Sequence, residues 1–344
     1  MKKLTLLTFL LISTSFFAQD FKTPVAYLEY IAKQEDNITK ETWKYTKTIA
    51  HSKSGRKIDA TRKNLIKSIQ TAHKNISNLK NGYNGDVEFK NIIVDYLKIS
   101  EIIISEEYAK IIDLQEVSEQ SYDFMEAYIK MQDLVNERMN REHEKVSVGQ
   151  KKFAEKYNIT LTEGQESAIG KKMALSNAVF NFQSDLYLIF FKCNITDLQL
   201  SKAIEAKDLA AIQQNSNSLA AYADEGLEKL KNIKPYNNDA SLINATKKSL
   251  EAYKKVTVEQ IPSVIDFFMF NNKFENAKQN IEKKKASDRT KEEIDSYNNL
   301  IKEINTKIAN FNKVNTKFDQ EKLQHVNSWN NTSSQFISKH IPND

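Results

Sequence analysis

The chain has 344 residues, 50 Lys and Arg against 45 Asp and Glu, and a net charge of +5. Charge this evenly mixed excludes the usual basic-patch binding of nucleic acid. A lone cysteine, Cys193, excludes an intrachain disulfide and a multi-cysteine metal or haem site. Seven Gly and four Pro are too few for a protein of sheets and long loops, so the composition predicts an all-α chain.

At the N-terminus, Lys2 and Lys3 precede an apolar stretch from Leu4 to Phe17, and Ala18 leads into polar Gln19 and Asp20. That is the layout of a cleaved secretory signal peptide over residues 1–19. The stretch is shorter than the roughly 20 apolar residues of a membrane span. No cysteine near it could carry a lipid anchor, and no later run reaches spanning length; Leu186 to Phe191 is the most apolar. After processing, no transmembrane segment is expected.

Thr23-Pro24 reads as an N-cap with Pro at the first helical position, opening a helix over 24–50. Ser54-Gly55 separates it from a second helix over 56–81. There Ile58, Leu65, Ile69, Ala72, Ile76 and Leu79 recur in steps of three, four or seven and share one face. Arg62 interrupts that face; its stem can lie along it while the charge reaches water. Asn81-Gly82-Tyr83-Asn84-Gly85-Asp86 is a turn ending in an N-cap Asp, before a helix over 86–112.

A fourth helix, over 115–157, carries a face of Met125, Tyr128, Val135 and Met139. Thr160 with Glu163 reads as a capping box for a helix over 163–193. Phe182, Leu186, Ile189, Phe190 and Cys193 give that helix the most apolar face of the chain, with Cys193 as a small buried hydrophobe. A helix over 198–233 places small Ala220, Ala223 and Gly226 beside Leu209, Ile212, Leu219 and Leu230, which lets a neighbour approach closely. One further helix is predicted over 239–271.

Ser287-Asp288 opens the last helix, 288–318, with an extension to about 338. Ile294, Tyr297, Ile301, Ile304, Ile308, Phe311 and Phe318 follow a 3.5-residue period there, the pattern of a supercoiled seam, broken by Asn315.

Tyr83-Asn84-Gly85-Asp86 recurs 153 residues later as Tyr236-Asn237-Asn238-Asp239, each time after a helix ending in Leu-Lys-Asn. The repeat predicts two related four-helix halves, residues 20–160 and 161–344, the second with the C-terminal extension. Short connections favour antiparallel bundle packing. The corner aspartates read as helix caps in preference to ligands.

Spacing encodes no set of residues that could carry chemistry. None of His51, His73, His143, His325 and His340 follows a Glu by three positions, and no His pair brackets a Glu at four, so neither a di-metal bundle site nor a zinc-protease helix is encoded. No Gly-x-Ser-x-Gly elbow and no Gly-rich phosphate loop is present. Glu106-Glu107 and Glu292-Glu293 read as solvated helix pairs. The runs Lys151-Lys152, Lys171-Lys172 and Lys283-Lys284-Lys285 are scattered. The sequence therefore nominates no catalytic residue, no metal ligand and no cofactor, and it identifies no binding residue. Trp43 and Trp329 stand out as amphipathic rings of the kind enriched at interfaces.

Several stretches resemble an uncharacterised family of exported bacterial surface proteins, first named from a spirochaete reading frame and common in flavobacteria-like bacteria. They are Ser121-Tyr122 with Ala127-Tyr128, Phe153 to Ile159, Tyr187 to Lys192, Glu225-Gly226-Leu227, and the ending with Trp329 and His340-Ile341-Pro342. The resemblance implies an envelope location and supplies no activity. The leading expectation is an exported, non-enzymatic helical protein of the periplasm, outer surface or secreted fraction, acting by binding or scaffolding with an unknown envelope or extracellular partner. A small-molecule carrier with an interhelical pocket, and an enzyme with a site between the halves, stay open as alternatives.

Overall fold

The protein is all-α. In the computed structural model, residues 21–107, 117–161 and 167–344 are described. Their helices are α1 (Pro24–His51), α2 (Gly55–Ser77), α3 (Glu88–Ile102) with a π-helical turn at Ile103–Glu107, α4 (Tyr122–Lys156), α5 (Ala168–Glu205), α6 (Leu209–Leu230), α7 (Ser241–Glu259), α8 (Ile261–Glu282) and α9 (Lys291–His340). Among the described residues, extended pairing is confined to two isolated bridges at chain corners, and no helix is long and apolar enough to cross a membrane. The predicted signal peptide and the predicted Thr160–Glu163 capping box fall wholly or partly outside the described residues.

Several boundaries follow the predicted punctuation. Thr23 Oγ1 accepts from the Ala26 N–H, 3.1 Å away, and Ser54 caps α2 through Lys57 N–H. Others differ. Asn194 to Asp197, taken as the end of a helix, lie inside α5, where Thr196 and Asp197 are buried. The chain turns later, at Lys207, whose φ of +57° precedes the capping Asp208. The helix predicted over 239–271 is two helices, because Pro262 cannot continue α7 and sits in the first turn of α8. The last helix opens at Thr290, which forms a reciprocal capping box with Glu293, and not at Ser287. It then runs unbroken for 50 residues, roughly 75 Å.

The residues cluster into two units. The first comprises residues up to Tyr45, Ser54–Tyr108 and Val135–Ile169; the second comprises Thr46–Lys53, Ala109–Leu134 and Gly170–Asp344. In the first, Leu65, Ile69, Ala72 and Ile76 of α2 are buried as their spacing predicts, together with Ile93 and Leu97 of α3 and Phe153 of α4. Arg62 departs from its expected solvation. Its side chain is 15% exposed, and the guanidinium donates to Ile104 O and to Asp59.

Burial in this unit also pushes the Glu35 carboxyl up to about 7. A raised carboxyl favours the fold below its unfolded value, about 4.3, and that contribution is lost as pH rises through 7. Glu35→Gln is therefore expected to raise the melting temperature at pH 8, by roughly 1–3 kcal/mol of stability. At pH 4, where Glu35 is protonated in the fold and mostly so in the unfolded chain, little of that difference is expected. Thermal unfolding at the two pH values measures it.

In the second unit α5 is the central element. Leu186, Phe190, Cys193 and Leu200 are buried on it, and burial pushes the Cys193 thiol up to about 12, leaving it unreactive. Gly226 of α6 meets α5 and α7 so closely that a Cβ would lie 3.1 Å from Ile189 and 2.8 Å from Leu250. Neither tryptophan is an exposed interface ring: Trp43 is 6% and Trp329 is 2% exposed. The Trp329 ring stacks on Phe190 at 4.6 Å, and its N–H donates to the buried Thr246 hydroxyl.

The α9 seam is only partly internal. Ile304 and Phe318 are buried, whereas Ile294 and Ile308 are about 40% exposed. On this stretch α8 covers one side of the seam, through Phe274 on Tyr297 and Phe267 on Phe311. A two-helix contact buries a stripe narrower than a full amphipathic face.

Candidate functional site

Two features draw distant residues together. The first is the repeated corner. In each copy both central residues have positive φ, Asn84 and Gly85 in one and Asn237 and Asn238 in the other, as a type I′ turn requires. Tyr83 pairs with Asp86 and Tyr236 with Asp239 across an antiparallel bridge. Asp86 and Asp239 each accept from the backbone N–H two residues on, Glu88 and Ser241, so they cap the next helix from just outside it.

Their other oxygens are also taken. Asp86 Oδ2 receives the Lys156 ammonium at 2.7 Å and the Tyr157 hydroxyl at 3.1 Å. Asp239 Oδ2 receives Lys339 at 2.7 Å and the His340 ring at 2.9 Å. Burial works to raise Asp86, but Lys156, the Glu88 N–H and Tyr157 together hold it below the usual carboxylate range. Lys339 and the Ser241 hydrogen bonds hold Asp239 well below it. With three donors on each, the corner carboxylates are fasteners already committed within the fold, with little capacity left for a ligand.

The second feature is a groove of about 370 Å³ in the second unit. Leu188, Ile189 and Lys192 of α5 face Tyr222, Glu225, Gly226 and Lys229 of α6, and Tyr122 opens α4 at its edge. With Asp185 added on α5, the residues of each helix recur at three, four and seven, so one stripe of α5 meets one stripe of α6. The close approach allowed by Gly226 sets the depth of the groove.

Glu225 lies between the two lysines, each ammonium 2.7 Å from one of its oxygens. Hydrogen bonds from Lys192 and then Lys229 lower its carboxyl, and Glu225 in turn raises Lys229. The Lys192 ammonium also sits 4.3 Å from the Tyr222 ring centroid and 5.3 Å from that of Tyr122. Burial, followed by the Glu126 charge, raises the Tyr122 hydroxyl. On the far edge, burial and the Asp133 charge raise Asp185.

This chemistry suits recognition better than bond making. A carboxylate lowered by two lysines is a weak general base, and a lysine kept protonated is no nucleophile. Each ammonium still has donors beyond those given to Glu225.

The histidines singled out by spacing do not converge. His51 reaches Pro342 O at 3.3 Å, His143 is exposed, burial lowers His325, and His340 belongs to the corner. Among the described residues no three His, Cys, Asp or Glu side chains gather as a metal set. Glu107 is bound to Arg138, and Glu293 to Lys284 and the α9 cap. The sequence shows the repeated corner and its capping aspartates, but neither the fastener that closes it nor the groove. The fastener leaves a trace in Phe153-x-x-Lys156-Tyr157 and Phe336-x-x-Lys339-His340, 183 residues apart. The groove leaves only its stripes, which amphipathic periodicity alone does not separate from core.

No protein-family model, no curated protein and no solved structure matches the chain.

Proposed function

We propose that the protein is exported and acts in the cell envelope or outside the cell by binding, with the Lys192–Lys229 groove as its ligand site. The observation that carries this reading is the convergence of two lysines, two tyrosines and apolar α5 side chains from three helices. Three of the stretches behind the family resemblance, at Tyr122, at Tyr187 to Lys192 and at Glu225-Gly226, each place a residue there. The ligand class that fits is an apolar body bearing one anionic group, the anion on the ammonium groups and the body along Tyr122, Leu188 and Ile233. The volume lies within the range of small-ligand pockets, which favours carriage of a small molecule as a second reading. The recurrence of corner and fastener in both units supports descent from a duplicated helical half.

Calorimetric titration with a medium-chain carboxylate and its neutral alcohol tests the site. The carboxylate is expected to bind at least tenfold tighter, and Lys229→Met, at a half-exposed position, is expected to remove that preference without moving the melting temperature. Equal affinity for the two compounds, or no binding of either, rules out this groove as an anion site. Location is tested separately by fractionation: recovery of the full-length chain in the cytoplasm would overturn export.

A further inference from the structure

The groove between α5 and α6 has two chemically different ends. The short turn 206–208 joins the two helices, which therefore run antiparallel and keep one register along the groove. Lys192 meets Glu225, Ile189 lies against Gly226, and Asp185 shares the groove with Asn232 and Ile233. Both ammonium groups and both tyrosines gather at the Glu225 end. The other end carries a carboxylate. Between them the floor is apolar, formed by Leu188, Ile189 and the bare backbone of Gly226.

Asp185 sits exposed at the rim and makes no ion pair or hydrogen bond among the described residues. The charge that reaches it is a like one, that of Asp133 on α4, which together with partial burial raises its carboxyl. Asp133 has no ion pair among the described residues either. Asn232, beside Asp185 in the groove, has no side-chain partner among them, so its amide oxygen is open to an N–H donor. An unpaired carboxylate held near a second one favours a positive charge at that place.

We propose, resting on the groove as the anion site, that its ligand is a linear zwitterion, with a carboxylate on Lys192 and Lys229 and a primary ammonium on Asp185 and Asn232. The charged side chains lining the groove are Lys192, Lys229, Glu225 and Asp185, which sum to zero, as the charges of such a ligand do. A simple carboxylate satisfies the lysines but leaves Asp185 facing Asp133. The ammonium relieves that repulsion while forming an ion pair of its own. Asp185 and Lys192 are seven residues apart on one helix. That rise is about 10 Å, the separation of the two charges in an extended eight-carbon ω-amino acid. A four-carbon ω-amino acid falls well short of it.

Calorimetric titration of the full chain at pH 7 compares 8-aminooctanoate with octanoate, and 4-aminobutanoate with butanoate. 8-Aminooctanoate is expected to bind at least about threefold tighter than octanoate, the modest gain of a half-exposed ion pair. The short pair is expected to show no such preference. Asp185→Asn, at an exposed position, is expected to abolish the preference with octanoate affinity and the circular dichroism melt unchanged. Lys229→Met is expected to weaken both eight-carbon acids alike. Octanoate binding with no gain from the amine would overturn the zwitterion and leave the anion site standing. A preference that survives Asp185→Asn, or one shown equally by the four-carbon pair, would overturn it too. Binding of neither eight-carbon acid would overturn both readings together.

Discussion

Gly82→Ala is expected to destabilise the first unit by roughly 3 kcal/mol or more, a sum of left-handed backbone strain and lost corner hydrogen bonds. Gly82 has φ +57°, and a Cβ built there would lie 1.9 Å from the Asp86 carbonyl oxygen and 2.7 Å from its carbon. That oxygen accepts the Tyr83 N–H at 3.0 Å. The obstacle is backbone, so no rotamer change relieves it, and the corner must open. Opening it moves Asp86 away from Lys156, Tyr157 and the start of α3 together. Gly85→Asn is the control. Gly85 also has positive φ, but a Cβ there meets nothing within 4 Å, and Asn238 occupies the matching place in the second corner at φ +63°. Denaturant unfolding should show a large loss for Gly82→Ala and a near-neutral result for Gly85→Asn. Equal effects would mean that conformational strain, not the clash with Asp86, governs the corner.

Lys322→Met is expected to cost the second unit about 3–5 kcal/mol near neutral pH, the usual penalty for stranding a buried charge. Asp197 is 1% exposed, and the Lys322 ammonium lies 2.9 Å from its Oδ2. Neither oxygen of Asp197 receives an aligned hydrogen bond among the described residues, so the ion pair carries the compensation. Burial raises the Asp197 carboxyl, Lys322 opposes the rise, and Asp319 adds to it. Without Lys322 the carboxyl shifts further upward. Its contribution then favours the fold below the unfolded value, and is lost as pH rises through the folded one. The penalty should therefore be large at pH 8 and shrink toward pH 4. Asp197→Asn in the same chain should restore most of the stability at pH 8. A Lys322→Met chain that melts like wild type at pH 8 would show that the pair contributes nothing net.

The helical character of this chain is legible because the rule behind it is local. Leu65, Ile69, Ala72 and Ile76 repeat at the helical period and are buried as predicted. The misread boundaries come from polar residues standing for punctuation. Asn194 and Asp197 look like a helix end, yet Asn194 accepts from Tyr253 and Asp197 pairs with Lys322 in the interior. Tertiary partners decide such positions, and these lie 59 residues away or more. Two local signals do mark boundaries the expected helices lack: Pro262, since proline in the middle of a helix ends it or opens another, and Thr290-x-x-Glu293, a capping box. The seam of α9 shows the opposite error. A 3.5-residue period states which residues can share a face, but not whether a neighbour covers all of it.

The candidate groove was illegible for a different reason. Its chemistry comes from two stripes meeting. Lys192 and Glu225 are 33 residues apart, and either alone reads as one more charge on a solvated helix. The lone signal that distance could not hide was Gly226, a small residue among larger apolar ones, which marks the place where α5 and α7 come closest to α6.

Each corner is closed by residues that follow it much later in the chain, 70 and 71 positions on for Asp86 and 100 and 101 for Asp239. During synthesis, then, neither corner can be locked until the helix that closes it has emerged. A chain cut just before Lys339 would keep nearly every helix and still be left unlatched, exposed to proteases at the point where the intact molecule is tied.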